Sequence, residues 1–439
     1  MITTPYLSRV LGAKSIGIYS YNFSVTNYFA LFILLGLNNY GNRTIARVRD
    51  DYKKKSETFW NIYSIQFLSG IIVLIAYFIY YFTLLDDKKM GLIMLLFLFS
   101  GILDINWFFF GIEKFKLTVT RNTFIKLLST LLIFIFVKNK NDIYIYSFIM
   151  VSSMLLSQII LWTNIHKEIL FIRPSVDKIK IHVKPNFLLF YTVIAVSLFK
   201  ILDKIMLGVL ATSQQVGYYE LSERLLMVPI SLIVSLGTVM LPRISNMIDD
   251  NFKGILLIIN KSVKFAIAIS SLLCFGIMGV SKEFVPLFFG SGYEPVIMLI
   301  LVLMPSCIFV AFANVIRTQF LLPKQMDKPY VKSAIYGAIV NIIINLLLIP
   351  QIGALGTAIG TLLAEIIVAI YQTWSVRENL PIKNYIMDSL PFVFSGVLMF
   401  LLMINLKIYL HSLFSIIVIK SVIGLIFFCI IFSISVFYK

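Results

Sequence analysis

Six ionisable residues crowd a short stretch of otherwise apolar sequence: Lys200, Asp203 and Lys204, then Glu220, Glu223 and Arg224. On a helix, Lys200 and Lys204 share a face, Asp203 is three residues from Lys200, and Glu220 and Arg224 are again four apart. Cations so grouped can hold an anion, and the acids beside them can exchange a proton or a sodium ion. The competing account is local ion pairing by side chains snorkelling from two helix ends, because the stretch surrounds a short turn, Ala211 to Val216. Asp104 poses a sharper question, since it lies mid-run in Gly101-Ile-Leu-Asp104-Ile-Asn106-Trp107. A carboxylate there must be neutral, paired or turned toward water, and each option suits a protein that moves ions or solutes. Lys126, Asn341, Asn345 and Glu365 are further polar residues inside apolar runs; Asn341 and Asn345, four apart, have the spacing of interhelical hydrogen-bonding residues.

The elements that must position these side chains follow from composition. Of 439 residues, 59% are hydrophobic and 13% charged, with a mean hydropathy of +0.92. A soluble chain carries roughly a quarter charged residues. Long Leu/Ile/Phe runs without strict alternation indicate membrane-spanning helices rather than a barrel. The expected spans fall near 16–37, 59–85, 90–112, 118–137, 142–163, 187–210, 218–242, 262–281, 295–320, 332–349, 354–374, 388–408 and 412–438, about thirteen in all. Connecting segments are too short for a soluble catalytic domain.

Lys and Arg orient this ladder. Alternate loops hold Arg43 to Lys55, then Lys114, Lys116 and Arg121, then Lys167 to Lys184, Arg243 to Lys264, Arg317 to Lys332, and Arg377 with Lys383. The opposite loops hold only Lys88, Lys89, Lys138, Lys140, Lys282 and Lys407, so the first set is expected on the cytoplasmic side. Much of the net charge of +17 is thereby a topology signal and not a nucleic-acid footprint. Cys274, Cys307 and Cys429 all fall within spans, which gives no disulfide framework; His166, His182 and His411 have no metal-binding spacing. Phosphate-loop, nucleophile-elbow and zinc signatures are absent from the sequence, and Asp249-Asp250 reads as a solvated helix end.

The chain also repeats itself weakly. Gly17-Ile18-Tyr19 opens a span that closes near Arg43 and Asp50; Gly217-Tyr218-Tyr219 opens another that closes near Arg243 and Asp250, each 200 positions later (217 against 17, 243 against 43). Both copies run in the same direction, as expected of two parallel bundles with a substrate cavity between them.

Several ordered blocks carry a resemblance to a known family: Pro5-Tyr-Leu-Ser-Arg9-Val-Leu-Gly12, Gly36-Leu-Asn-Asn-Tyr-Gly41-Asn-Arg43, Asp104-Ile-Asn-Trp107-Phe-Phe-Phe-Gly111-Ile-Glu113-Lys114, Leu202-Asp203-Lys204-Ile-Met206-Leu-Gly208, Val216-Gly217-Tyr-Tyr219, Leu241-Pro242-Arg243-Ile244 and Gly353-Ala-Leu-Gly356. Over essentially its whole length the chain resembles the bacterial polysaccharide flippases of the multidrug/oligosaccharidyl-lipid/polysaccharide exporter superfamily, which handle O-antigen, capsule or exopolysaccharide repeat units. The resemblance implies an all-α polytopic protein of the bacterial cytoplasmic membrane with two pseudo-symmetric helical bundles plus two C-terminal helices. The corresponding segments are residues 1–186, with a cytoplasmic linker, 187–385, and 386–439. Most of the family's first helix would precede Pro5-Tyr6, and Met1 to Gly12 would reach only about 18 Å as a helix, so an upstream helix is expected to be missing.

The implied cargo is an undecaprenyl-diphosphate-linked oligosaccharide, moved from the cytoplasmic to the outer leaflet by alternating access. Such a head group cannot cross hydrocarbon unaided, because stripping water from phosphates is prohibitive. Arg9, Lys200, Lys204 and Arg224 are the expected diphosphate-holding residues, Arg by forked hydrogen bonds and Lys as a point charge. Asp104, Asp203 and Glu220 are the expected ion-coupling residues, for a proton or sodium gradient, with no cofactor, no resident metal and no bond broken. Partners implied are membrane lipids, a polysaccharide polymerase and other export machinery, without nucleic acid. Two other readings are a cation-coupled drug antiporter of the same superfamily, expected if acids dominate the cavity, and a membrane-integral glycosyltransferase or ligase, expected to carry a long external domain or carboxylate-rich loops.

Overall fold

The computed structural model describes residues 2–247 and 252–437, without the side chains of 191, 192, 195, 196, 198–200, 252 and 434–437. The side chain of Lys200 and the pair Asp249-Asp250 therefore lie outside the described residues. The chain forms α1 (Thr4–Val10), α2 (Gly12–Leu34), α3 (Leu37–Val48), α4 (Tyr52–Thr83), α5 (Lys88–Ile102), α6 (Asn106–Gly111), α7 (Phe115–Phe136), α8 (Ile143–Ile165) and α9 (Val176–Leu210). It continues with α10 (Ser213–Met247), α11 (Phe252–Phe289), α12 (Glu294–Leu303), α13 (Ser306–Ile316), a π-helical turn over Arg317–Leu321, α14 (Asp327–Ile352), α15 (Ala354–Ser375), α16 (Ile382–Asn405) and α17 (Leu413–Phe437). Among the described residues twelve stretches are long and apolar enough to cross a membrane, and α9 covers the remaining span expected at 187–210.

Each helix closes its own backbone hydrogen bonds, which hydrocarbon demands. The outward faces are correspondingly apolar: on α4, Leu68, Ile72, Ile75, Ile79 and Phe82 recur every three to four residues and are all exposed. Interhelical turns use side-chain caps where water can reach them. Asp51 accepts the Lys54 backbone N–H at 3.0 Å, which holds its carboxyl below the usual range, and Asp87 accepts that of Met90 at 2.9 Å.

By contacts the chain divides into two units, residues 10–201 and residues 1–9 with 202–439. The boundary expected after 186 falls inside α9, which continues unbroken to Leu210. Within residues 10–201, two expected single spans are interrupted helices. The first runs from Gly12 to Val48 but breaks at Leu35, whose φ of 50° lies in the left-handed region. The second breaks between α5 and α6, and neighbouring helices satisfy the carbonyls this frees. Gln66 of α4 donates through Nε2 to the carbonyls of Gly101, Ile102 and Asp104 at 2.8–3.0 Å, and Trp162 of α8 donates to Leu103 at 2.9 Å. Gln66 Oε1 in turn accepts the indole N–H of Trp107 at 3.0 Å. Trp107 is fully buried, and α3 crosses it at Gly41, where a Cβ would meet the indole at 2.6 Å. Two of the sequence blocks quoted above thus pack directly on each other, and the glycine is there for close approach.

The unit containing residues 202–439 has its core along α10, α11, α13 and α16, with Ile233, Ile255, Val315, Phe320 and Tyr385 buried together. The two C-terminal helices are fastened to α11 by charge as well as by apolar packing. Lys420 of α17 pairs with Glu283 of α11 at 2.7 Å, Lys264 of α11 with Asp388 of α16 at 2.8 Å. Cys274 and Cys307 are buried here as free thiols, whereas Cys429 is exposed on the outward face of α17.

Candidate functional site

Asp203 is 2% exposed and takes four side-chain hydrogen bonds. Its Oδ1 accepts amide N–H groups from Asn341 at 2.9 Å and Asn345 at 2.7 Å. Its Oδ2 accepts the hydroxyls of Tyr219 at 2.9 Å and Thr361 at 2.8 Å, and these two hydroxyls are 2.8 Å from each other. The four donors come from α10, α14 and α15, yet they meet because Tyr219, Asn345 and Thr361 lie at nearly the depth of Asp203, with Asn341 one turn further along α14. Asp203 is seven residues before the end of α9 at Leu210, Asn345 seven before Ile352, Thr361 seven after Ala354 and Tyr219 six after Ser213. At 1.5 Å per residue, all are roughly 10 Å along their helices from the turns that the Lys/Arg count assigns to the outside. Gly360 makes the approach possible: a Cβ there would collide with the Asn345 amide. Gly356, one turn earlier, brings α15 against the α14 backbone, with a Cβ only 2.6 Å from the Leu348 carbonyl carbon.

One residue further along α9, Lys204 enters a different group. It pairs with Glu220 and Glu223, both at 2.6 Å, and Glu220 also accepts from Arg224 Nε at 2.7 Å. The i,i+4 pairing read from the sequence is present, and all four side chains are less than a third exposed. Two cations and two carboxylates balance. Adding Asp203 gives three acids to two bases among the described side chains here, and an anion approaching Lys204 or Arg224 must displace a carboxylate oxygen.

Arg9 belongs with a third group. Its side chain is exposed, Nη2 donates to the Leu287 carbonyl at the end of α11 at 2.6 Å, and it lies over Gly290, whose φ is 99°. Beside it, Ser8 donates to the Phe289 carbonyl at 2.9 Å and accepts, on its own carbonyl, the Tyr293 hydroxyl at 2.6 Å. This mooring uses one of the five guanidinium N–H groups of Arg9. The structure thus brings Lys204, Glu220 and Arg224 together, sets Asp203 beside them in its own shell, and places Arg9 against the α11 terminus.

Asp104 lies in the unit of residues 10–201, at the α5–α6 break. Its Oδ1 accepts from the Asn106 backbone at 2.9 Å and from Asn106 Nδ2 at 2.6 Å. Asn106 Oδ1 then accepts from Arg121 Nη2 at 2.9 Å, so carboxylate and guanidinium communicate through an amide. Arg121, counted above as a loop cation, is 6% exposed and lies two turns inside α7, where Nη1 donates to the Ser157 carbonyl at 3.0 Å. Arg121 is thus no loop cation: it turns inward, where Asn106 links it to the half-buried Asp104. Tyr219 stood out in the sequence only as part of the repeat and of a family block, and Thr361 not at all, since a lone hydroxyl in an apolar run carries no signal.

Residues 1–248 match the family described as "Polysaccharide biosynthesis protein". Over 387 residues the chain is 26% identical to a "Putative O-antigen transporter" of Escherichia coli K12, covering 86% of this chain and 92% of that protein. It is 23% identical over 386 residues to a protein of the same name from Shigella dysenteriae, covering 86% and 95%. Among solved structures, the fold is similar to the lipid II flippase MurJ in an inward closed conformation, with a TM-score of 0.68, 17% identity, and coverage of 100% of this chain and 98% of that one. It is also similar to an inward-facing multidrug resistance MATE family transporter, with a TM-score of 0.63, 13% identity and coverage of 88% and 96%.

Proposed function

This chain belongs to the polysaccharide biosynthesis protein family, and from that premise we propose that it is a flippase for undecaprenyl-diphosphate-linked oligosaccharide repeat units, working from the cytoplasmic to the outer leaflet by alternating access in the bacterial cytoplasmic membrane. The family match over residues 1–248 carries this reading. The relatives named as O-antigen transporters, which align over most of their length, and the end-to-end fold likeness to a lipid II flippase support it. No covalent step is required, because the task is to shield a charged head group while it crosses hydrocarbon.

Arg9, Lys204 and Arg224 are the proposed holders of the diphosphate, together with Lys200, one helical turn before Lys204 on α9. The exposed Arg9 has donors left after its bond to Leu287, whereas Lys204 and Arg224 would exchange carboxylate for phosphate oxygens. Asp203 and Glu220 are the proposed coupling groups. A proton is the proposed coupling ion at Asp203: its Oδ2 meets two hydroxyls, Tyr219 at 2.9 Å and Thr361 at 2.8 Å, that can rotate to accommodate it, Thr361 having the Thr357 carbonyl at 3.0 Å as a second acceptor. Sodium would instead use the same oxygens as ligands after the amides turn.

Among the described side chains, three acids, Asp203, Glu220 and Glu223, stand with two bases, Lys204 and Arg224, and this favours a second reading, a cation-coupled antiporter of small molecules. One experiment separates them. A strain lacking its repeat-unit flippase is complemented with this chain, and the purified protein is analysed by mass spectrometry for a bound lipid-linked glycan. Restored surface polysaccharide with a bound prenyl-diphosphate glycan is expected. Failure to restore it by a membrane-inserted protein, together with extrusion of cationic dyes, would establish the antiporter. Arg9→Ala is expected to abolish export while leaving the protein in the membrane; wild-type surface polysaccharide in that variant would remove Arg9 from the site.

A further inference from the structure

Lys126 belongs to none of the groups described above, yet it is exposed at the middle of α7, which begins at Phe115 and ends at Phe136. At 1.5 Å per residue it lies roughly 15 Å from either end of the helix. Its four-carbon stem is too short to carry the ammonium from there to a membrane surface. A cation at that depth must meet water or an anion inside the protein.

The other residues of α7 show on which side. One face packs on α8 with Thr118, Arg121, Ile125 and Ile133, all buried. A second face carries Phe124, Leu127, Leu131 and Ile135, spaced three to four residues apart, all exposed and all without a polar atom, as on the outward face of α4. That is the lipid side. The third face holds Lys116, Val119, Thr123, Lys126 and Thr130, again three and four apart, and is turned about 100° from the lipid side. Val119, Thr123 and Lys126 are exposed and Thr130 is half-buried. Among the described residues no carboxylate pairs with Lys126, and no hydrogen bond occupies the hydroxyls of Thr123 and Thr130. A helix with only lipid beyond its α8 contact would carry aliphatic side chains on both open faces, and α7 does so on one.

We propose that the face carrying Thr123, Lys126 and Thr130 borders the aqueous path of the cargo and holds its diphosphate at mid-membrane, an assignment that rests on the flippase reading. Lys126 supplies the charge, and the hydroxyls of Thr123 and Thr130, about 10 Å apart along the axis, donate to phosphate oxygens on either side of it. Charge complementarity selects this occupant. The face has a central cation, two open hydroxyl donors and no acid, so an anion with several acceptor oxygens is matched and a cationic molecule is repelled. The site would serve the head group at the depth farthest from bulk water on either side.

Substituted-cysteine labelling of the full-length protein in membrane vesicles tests this, in a Cys429→Ser background because Cys274 and Cys307 are buried. A water-soluble, membrane-impermeant thiol reagent is expected to label Thr123→Cys and Thr130→Cys about tenfold faster than Phe124→Cys and Leu131→Cys, their neighbours at equal depth on the lipid side, because the reactive thiolate needs water. Farnesyl diphosphate should slow the labelling of Thr123→Cys about fivefold and farnesol should not; adding Lys126→Met should remove the protection, and Lys126→Arg should keep it. Equal labelling of the two faces, equal protection by farnesol, or protection that survives Lys126→Met would each overturn the assignment. Export at the wild-type level by Lys126→Met would overturn it as well. The labelling is read without reference to export: a chain that fails to complement yet gives this pattern loses the flippase reading and keeps an aqueous, diphosphate-holding face on α7.

Discussion

Two carboxylates inside apolar runs, one in each unit, are held in opposite ways. Asp104 answers to a cation: Asn106 links it to Arg121, and the same Asn106 backbone closes the turn that starts α6. Asp203 is surrounded by neutral donors, four of them on three helices. A carboxylate whose counter-charge is built in has no reason to take up or release an ion. One held by hydroxyls and amides can change its charge without breaking an ion pair, at the cost of rearranging donors. On the proposed reading, the contrast makes Asp203 the stronger coupling candidate and gives Asp104 a part in holding the α5–α6 break.

The comparison breaks most easily at Asp203. Asp203→Asn, which fixes the neutral form, should reduce gradient-driven transport in proteoliposomes by about a hundredfold while folded yield is unchanged. Transport at the wild-type rate with the same dependence on pH and sodium would end the coupling role. Next in size is Gly360→Val, which pushes the Asn345 amide off Asp203; a loss of about tenfold is expected, from a cavity-sized distortion of a packed interface. Lys204→Met should destabilise the protein by about 3 kcal/mol in thermal unfolding, because Glu220 and Glu223 are then buried beside one cation instead of two. Adding Glu223→Gln should return part of that loss, and strict additivity of the two changes would mean that the pairs do not couple. The smallest functional effect belongs to Asp104→Asn. It should lower the amount of folded protein, yet the molecules that fold should keep the wild-type pH and sodium dependence; a shifted dependence would promote Asp104 to a coupling residue.

Much of this was legible in the sequence, for identifiable reasons. Span positions follow from apolar run length, and the stretch around Asp203 and Lys204 stands out because charge is rare in hydrocarbon. Asn341 and Asn345 were legible as an interhelical pair through their four-residue spacing, but their target was not, since nothing local connects α14 to Asp203. The breaks at Leu35 and between α5 and α6 were hidden because no proline or glycine occupies Leu35, Leu103 or Ile105. What stabilises the second break is Gln66, a residue on another helix. Arg121 was misplaced because counting cations near span ends cannot tell a solvated arginine from one that has turned inward to a partner.

The α14–α15 hairpin has a mechanical consequence. Gly356 seats one helix directly on the other's backbone, so the pair must travel as a single lever, and that lever carries three of the four groups gripping Asp203. Occupancy of one carboxylate oxygen by hydrogen would then decide whether the lever is latched to α9 or released. A chemical event the size of an atom would be converted into the stroke of two whole helices.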